Sequence, residues 1–355
     1  MTAAETPEMP TPDGSVKQEY LLYGGQAVIE GVMMRSPGHF AVACRAPSGE
    51  IVLRGEPIDA TWLAKLKWLR RPLLRGTLAL IDAMALGARA LKFASRVQLG
   101  QETGSEPEGS PSVISAAPNS GKSAEGNRLS DVAIGGTLLF SFLAGAGLFV
   151  ALPTLLTGVA HRAGLFGAHG AVSRYELNVS DGIIRMLTFF AYILLISLLP
   201  GIREVFMYHG AEHKAINTLE AGKELTLQNA EAASRIHPRC GTSFIFVVLL
   251  INLVLYVVLP RPVWYLRIPL HLAIVPLVAG LAYETIKLAG RFRSSFVVMT
   301  LLAPGMWSQY LTTRVPRPDQ IEVALMALRA VMKAEAAVPG PTSVEPALAV
   351  QASSL

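Results

Sequence analysis

Residues 242–260, TSFIFVVLLINLVLYVVLP, decide what kind of chain this is. The run carries no charge and is close to the roughly 20 residues that a bilayer core requires. Three other stretches resemble it. Residues 134–159 are uncharged, and 182–201 hold only Arg185, near one end. Residues 268–289 carry His271 near the start and Glu284 and Lys287 near the end. Together they predict a mainly α-helical, polytopic membrane protein with about four transmembrane helices, spread over residues 134–289.

Composition agrees. Of 355 residues, 51% are hydrophobic and 16% charged, against about 25% charged in an ordinary soluble domain. The net charge of +5 does not point to nucleic acid, because Lys and Arg gather beside apolar runs without aromatic interleaving. Two cysteines, Cys44 and Cys240, are too few for a secreted disulfide framework. Residues 1–18 are polar and read as disordered, without the apolar core of a signal peptide. Insertion then rests on the internal runs.

Outside the spans the chain divides by texture. Residues 20–59 form a small β-rich unit, in which FAVAC and EIVLRGE flank a Pro47-Ser48-Gly49 turn as a hairpin. YGGQAVIEGVMMRSP precedes it, and its paired glycines suit positive φ or close backbone approach. It has neither P-loop nor Rossmann spacing. Residues 61–99 give amphipathic basic helices, broken at Pro72. They suit an interfacial position on an anionic leaflet or packing on the β-rich unit. Residues 101–129 are a Gly/Ser/Pro/Glu-rich flexible linker. In 290–337, the apolar 296–307 is too short to span and reads as re-entrant or interfacial, because Pro304 and Gly305 interrupt it. An amphipathic helix over 318–336 follows, with Asp319 as N-cap. Residues 338–355 are a disordered tail.

Basic residues are dense before the first span, in the loop 202–241 and after the fourth span. The positive-inside rule then sets both termini and this loop in the cytoplasm of a bacterial inner membrane, as a multi-pass protein. Membrane lipids are the expected partners. Protein partners are not legible.

The loop carries the chemistry. In MYHGAEHKAINTLE, His209 and His213 stand one helical turn apart, the geometry for two ligands of one ion. Glu212 lies on nearly the same face, in the His-x-x-Glu-His order of inverzincin peptidases, where the Glu polarises a water. His237 and Cys240, in HPRC at the loop's far end, and Glu284 are candidates to complete the site. Both loop ends return to the membrane, so they can meet. Cys240 as a soft donor favours zinc among divalent metals. Glu30 could add a carboxylate, and Arg35 could bind an acidic headgroup; local turn structure and surface charge are the plainer roles for both. Glu284 could instead be a snorkelling residue paired with Lys287. The plain reading of His209, Glu212 and His213 is a solvated polar helix face. His39, His161, His169 and His271 stand alone, and Cys44 reads as an inert core thiol.

YGGQAVIEGVMMRSP, RGTLALIDAMALGARAL, REVFMYHGAEHKAIN and HPRCGTSFIF resemble the YqhQ family of bacterial membrane proteins over roughly 20–335, outside the linker. That family is of unknown function and is described as predicted metal-dependent enzymes. The resemblance implies metal dependence and supplies neither substrate nor reaction. The expectation is a metal-dependent membrane hydrolase acting on lipid headgroups or membrane-proximal peptides. Its metal ligands are His209 and His213 with His237 or Cys240, and its base is Glu212. The alternative is a non-enzymatic membrane scaffold whose loop is merely polar.

Overall fold

The computed structural model describes residues 23–58, 73–101, 136–165 apart from 138 and 142, 173–258, 263–291 and 296–337. The expectations for 1–18, the linker 101–129 beyond its first residue, and the tail 338–355 lie outside the described residues. So do those for 59–72. Four strands come first: β1 (Gly24–Val28), β2 (Gly31–Arg35), β3 (His39–Arg45) and β4 (Ile51–Pro57). The helices are α1 (Leu74–Gln98), α2 (Leu139–Arg162), α3 (Arg174–Ile196), α4 (Pro200–Glu220) and α5 (Leu227–Ala232). They continue with α6 (Gly241–Val258), α7 (Trp264–Arg291), α8 (Phe296–Thr312) and α9 (Pro318–Ala336). The protein is thus mostly helical, with a small N-terminal antiparallel sheet.

The strands form a meander in the order β1-β2-β3-β4. The expected β3–β4 hairpin is present. Gly49 closes its turn at φ 90, donating its N–H to the Ala46 carbonyl at 2.8 Å. The preceding GGQAVIEGVMMR stretch is more regular than the sequence suggests. It is a second hairpin, β1–β2, with Gly25 opposite Met34 and a turn at Glu30 in the left-handed region, φ 50. Its glycines hide the strand because they contribute no β propensity; packing on both faces supplies the order instead.

Alternation along the strands explains that packing. Val32, Met34, Ala41 and Ala43 face α4 and α9, meeting Tyr208, Ala211, Ala215, Ile321 and Leu328. Met33, Phe40, Val42 and Cys44 face the other way, onto Leu86, Ala90, Phe93 and Val97 of α1. The sheet is therefore the middle layer between helices, and Cys44 is a core thiol. The first half of α1 leaves the sheet, and Ala79 packs with Phe244 and Val247 of α6 and Ala282 and Tyr283 of α7. Packing covers Leu78, Leu86, Phe93 and Val97 of this helix, whereas Ile81, Met84 and Leu91 of its apolar stripe stay exposed, so the packed position holds for only part of the stripe.

Among the described residues, two helices, Leu139–Arg162 and Tyr175–Ile196, are long and apolar enough to cross a membrane, with 6% and 17% of their apolar windows buried. A core helix would be mostly covered, so these faces fit membrane association. The span read as 182–201 is displaced. A capping box starts α3 earlier: the Ser173 hydroxyl accepts from the Glu176 N–H and the Glu176 carboxylate from the Ser173 N–H. The far end is cut short because Pro200, which lacks an N–H, opens α4 at its first position.

The segment expected to be short and re-entrant is a 17-residue helix, α8, with Pro304 inside it. Proline removes one helical hydrogen bond. The helix continues because Ser308, Gln309 and Thr312 beyond it are buried. At α9 the cap is Arg317 with Pro318 at the first helical position, so Asp319 sits within the first turn rather than at the N-cap.

Helix α4 crosses the segment before α9 at backbone contact. A Cβ on Gly210 would come within 2.2 Å of the Arg314 carbonyl oxygen, whose own N–H donates to Phe206 at 2.8 Å. Gly210→Ala is expected to destabilise the protein by about 1–3 kcal/mol through this overlap. Thermal unfolding of the purified variant checks it; an unchanged midpoint would contradict the packing.

Candidate functional site

Helix α4 is not a solvated face. Tyr208, Ala211, Glu212, His213 and Ala215 are all buried on it. The chain then returns through α5 and the 233–240 turn to start α6, so Cys240 reaches the same place as His209 and His213. Their ligand atoms lie within 4.8 Å of one another. His237 is not among them.

The ring orientations are fixed from behind. His209 Nδ1 is 2.9 Å from the Thr312 carbonyl oxygen, at the end of α8. His213 Nδ1 is 2.7 Å from the Arg235 carbonyl oxygen. A carbonyl oxygen only accepts, so both Nδ1 atoms carry hydrogen and both Nε2 atoms remain for the site. His209 Nε2 lies 3.2 Å from Cys240 Sγ, and His213 also hydrogen-bonds Cys240.

The electrostatics follow from this cluster. Burial pushes the Cys240 thiol up, but His209 and His213 outweigh it and hold it well below its usual range. Burial pulls His209 down, while the Cys240 charge and hydrogen bond, with Glu212, lift it to about 9. Burial wins at His213, which is lowered. Glu212 is pushed up to about 8, chiefly by burial, with His209 opposing and Cys240 adding. Among the described residues, Glu212 Oε2 has no hydrogen-bond partner.

These groups line a cavity of about 400 Å³ that also touches Gly25, Arg35 and His237. Strand β1 roofs it. A Cβ on Gly25 would sit 2.9 Å from Glu212 Cγ and 2.8 Å from the Met33 carbonyl oxygen, so a glycine is what lets the strand pass.

The remaining sequence candidates separate. His237 turns away: its Nε2 is 3.3 Å from Glu220 Oε1 and its Nδ1 accepts from the Arg239 N–H. Glu284 is held by Arg75 of α1 in a two-pronged pair at 2.6 and 2.5 Å, away from the cluster. That partner replaces the expected Lys287 as its principal contact. Glu30 accepts from the Tyr208 hydroxyl at 3.2 Å behind α4. Burial and the neighbouring Glu204 raise its carboxyl above the usual range. Arg35 does reach the cavity.

Sequence reading missed Gln309. Fully buried on α8, it accepts from the His237 N–H at 2.9 Å and donates to the His237 carbonyl at 2.8 Å and Ser243 Oγ at 2.9 Å. It splints the turn that delivers Cys240. Its sequence signal is weak, because Gln309 lies just past the apolar 296–307 among Ser308, Tyr310, Thr312 and Thr313.

Comparison with known proteins assigns the chain. A family model described as "Protein of unknown function (DUF1385)" matches residues 71–334. "Uncharacterized protein YqhQ" of Bacillus subtilis (strain 168) is 32% identical over 315 residues, covering 88% of this chain and 93% of that one. The chain belongs to the YqhQ family. No solved structure matches it. The 71–334 match takes in every ligand-type residue of the cluster, whereas the β1–β2 roof of this YqhQ-family cavity lies before it.

Gln309→Leu would strand the His237 amide and carbonyl and the Ser243 hydroxyl in the interior. It is expected to lower stability by about 2 kcal/mol or more and to loosen Cys240. Thermal unfolding, together with alkylation of Cys240 in the folded state, checks this. Unchanged stability and unchanged thiol protection would contradict the splint.

Proposed function

We propose that this chain is a metal-dependent hydrolase at a membrane surface, with His209, His213 and Cys240 as ligands of one divalent ion. The carrying observation is that both imidazoles are pinned at Nδ1 by backbone carbonyls, which leaves two Nε2 atoms and the Cys240 sulfur as the converging ligand atoms. Outer hydrogen bonds of this kind orient metal-binding histidines. A cysteine beside two histidines suits zinc better than magnesium or calcium. Three protein ligands match an open, catalytic arrangement rather than a closed structural one.

A zinc ion held there would supply an acidified water and a Lewis acid for a carbonyl or phosphoryl oxygen. The chain's own residues supply the rest. Glu212, with a free buried oxygen at the same cavity, receives the proton of the attacking water. Gly25 and its strand cover the site and limit bulk water. The His237–Gln309 splint holds Cys240 in place.

The membrane reading extends the same way. Helices α2 and α3 cross the bilayer, and α6 and α7 complete a four-span bundle; α6 contacts α3, α7 and α8. Basic residues flanking the spans put the site and both termini on the cytoplasmic side. The bond cleaved then belongs to a lipid headgroup or a membrane-proximal peptide.

Elemental mass spectrometry of the purified chain in detergent tests the proposal. The expectation is about one zinc per chain, lost in His213→Ala and Cys240→Ser and kept in His237→Ala, in line with three-ligand catalytic sites. Folded wild-type protein without metal would contradict it and favour a non-enzymatic scaffold.

A further inference from the structure

Arg35 ends β2 two residues after Met33, so it shares the face that packs on α1. Glu212 belongs to α4, on the opposite face of the sheet. Both nevertheless line one cavity. That is possible because, among the described residues, β1 is an edge strand paired with β2 alone. The cavity is therefore lined from both faces of the sheet at the β1 edge, by the His209–His213–Cys240 cluster and by Arg35.

The surroundings of Arg35 have an uneven chemistry. Arg35 is half-buried, and its Nε is shut off from solvent with no hydrogen-bond partner among the described residues. Burial pulls it below its ordinary range, and the charge of Asp82 on α1 offsets part of that. Leu80 and Ala83 of α1 and Phe244 and Ile245 of α6 supply the walls. A guanidinium with a shielded donor left short of acceptors is costly unless something fills its fork. Its planar donors match the oxygens of a phosphate. The other basic residue at the cavity, Arg239, is already engaged by Glu220. Among the described residues lining the cavity, Arg35 keeps a donor open to a ligand.

We propose that Arg35 anchors a phosphate group of the substrate in the cavity it shares with the histidine–cysteine cluster. This deepens the hydrolase reading and rests on it for what happens to the bound molecule. The phosphate itself could belong to a lipid headgroup whose chains follow the apolar wall, or to a water-soluble phosphate ester.

The test uses the full chain in detergent, with zinc content measured on every sample. Thermal unfolding is followed against inorganic phosphate and against dihexanoyl phosphatidic acid. Wild type is expected to be stabilised by at least one of them. Arg35→Gln should weaken that binding by about tenfold or more, the loss of a charge-assisted pair, with zinc content unchanged. Arg35→Lys, which keeps charge without the fork, should fall between them and serves if the glutamine variant does not fold. Stabilisation by phosphatidate well beyond phosphate assigns a lipid; equal effects assign a soluble ester. Wild-type protein indifferent to both ligands, or an Arg35→Gln variant that binds as wild type does, overturns the proposal. Absence of zinc with Arg35-dependent phosphate binding intact removes the hydrolase reading and leaves the anion site standing.

Discussion

Two hydrogen bonds, from His209 to the Thr312 carbonyl and from His213 to the Arg235 carbonyl, constrain much of what surrounds them. They fix both rings against backbone that belongs to other parts of the chain. Thr312 ends α8, and Arg235 lies on the return from α5. For both carbonyls to arrive together, α4 must be flanked on two sides at close range. Gly210 gives the approach on one side and the 233–240 turn gives it on the other. A close backbone crossing and the polar centre thus share one helix.

That placement explains why the middle layer is so apolar. A helix that buries Glu212, His213 and Lys214 carries a desolvation cost. Lys214 donates to the Glu231 and Ala233 carbonyls at 2.7 Å each, and His213 has its carbonyl. Glu212 retains an unpaired oxygen. The offset comes from α4's other face, where Tyr208, Ala211 and Ala215 join the sheet and α9 in one core. Stability gathered there supports a costly, desolvated polar arrangement next to it, as functional sites commonly require.

Much of this was legible in the residues. The His209–His213 spacing, the return of HPRC to the same point and the β3–β4 hairpin all follow local rules that the structure obeys. What was not legible depends on distant partners. Strands β1 and β2 hide behind glycines, of which Gly25 passes over Glu212 and Gly31 lies tight against Ala43 and Cys44 of β3. His237 and Cys240 were equal candidates by spacing, and only the positions of Glu220 and Gln309 separate them. Helix α8 reads as broken at Pro304 until the burial of its second half is known. Glu284 looked like a snorkelling or site residue because nothing in sequence ties position 284 to Arg75.

The central claim is that two imidazoles and one thiolate of this YqhQ-family chain hold a single ion. X-ray absorption at the zinc edge on the purified chain tests it most directly. The account predicts one sulfur at about 2.3 Å and two nitrogens at about 2.0 Å, with a lighter fourth ligand. A shell of nitrogen and oxygen alone, without sulfur, would contradict it.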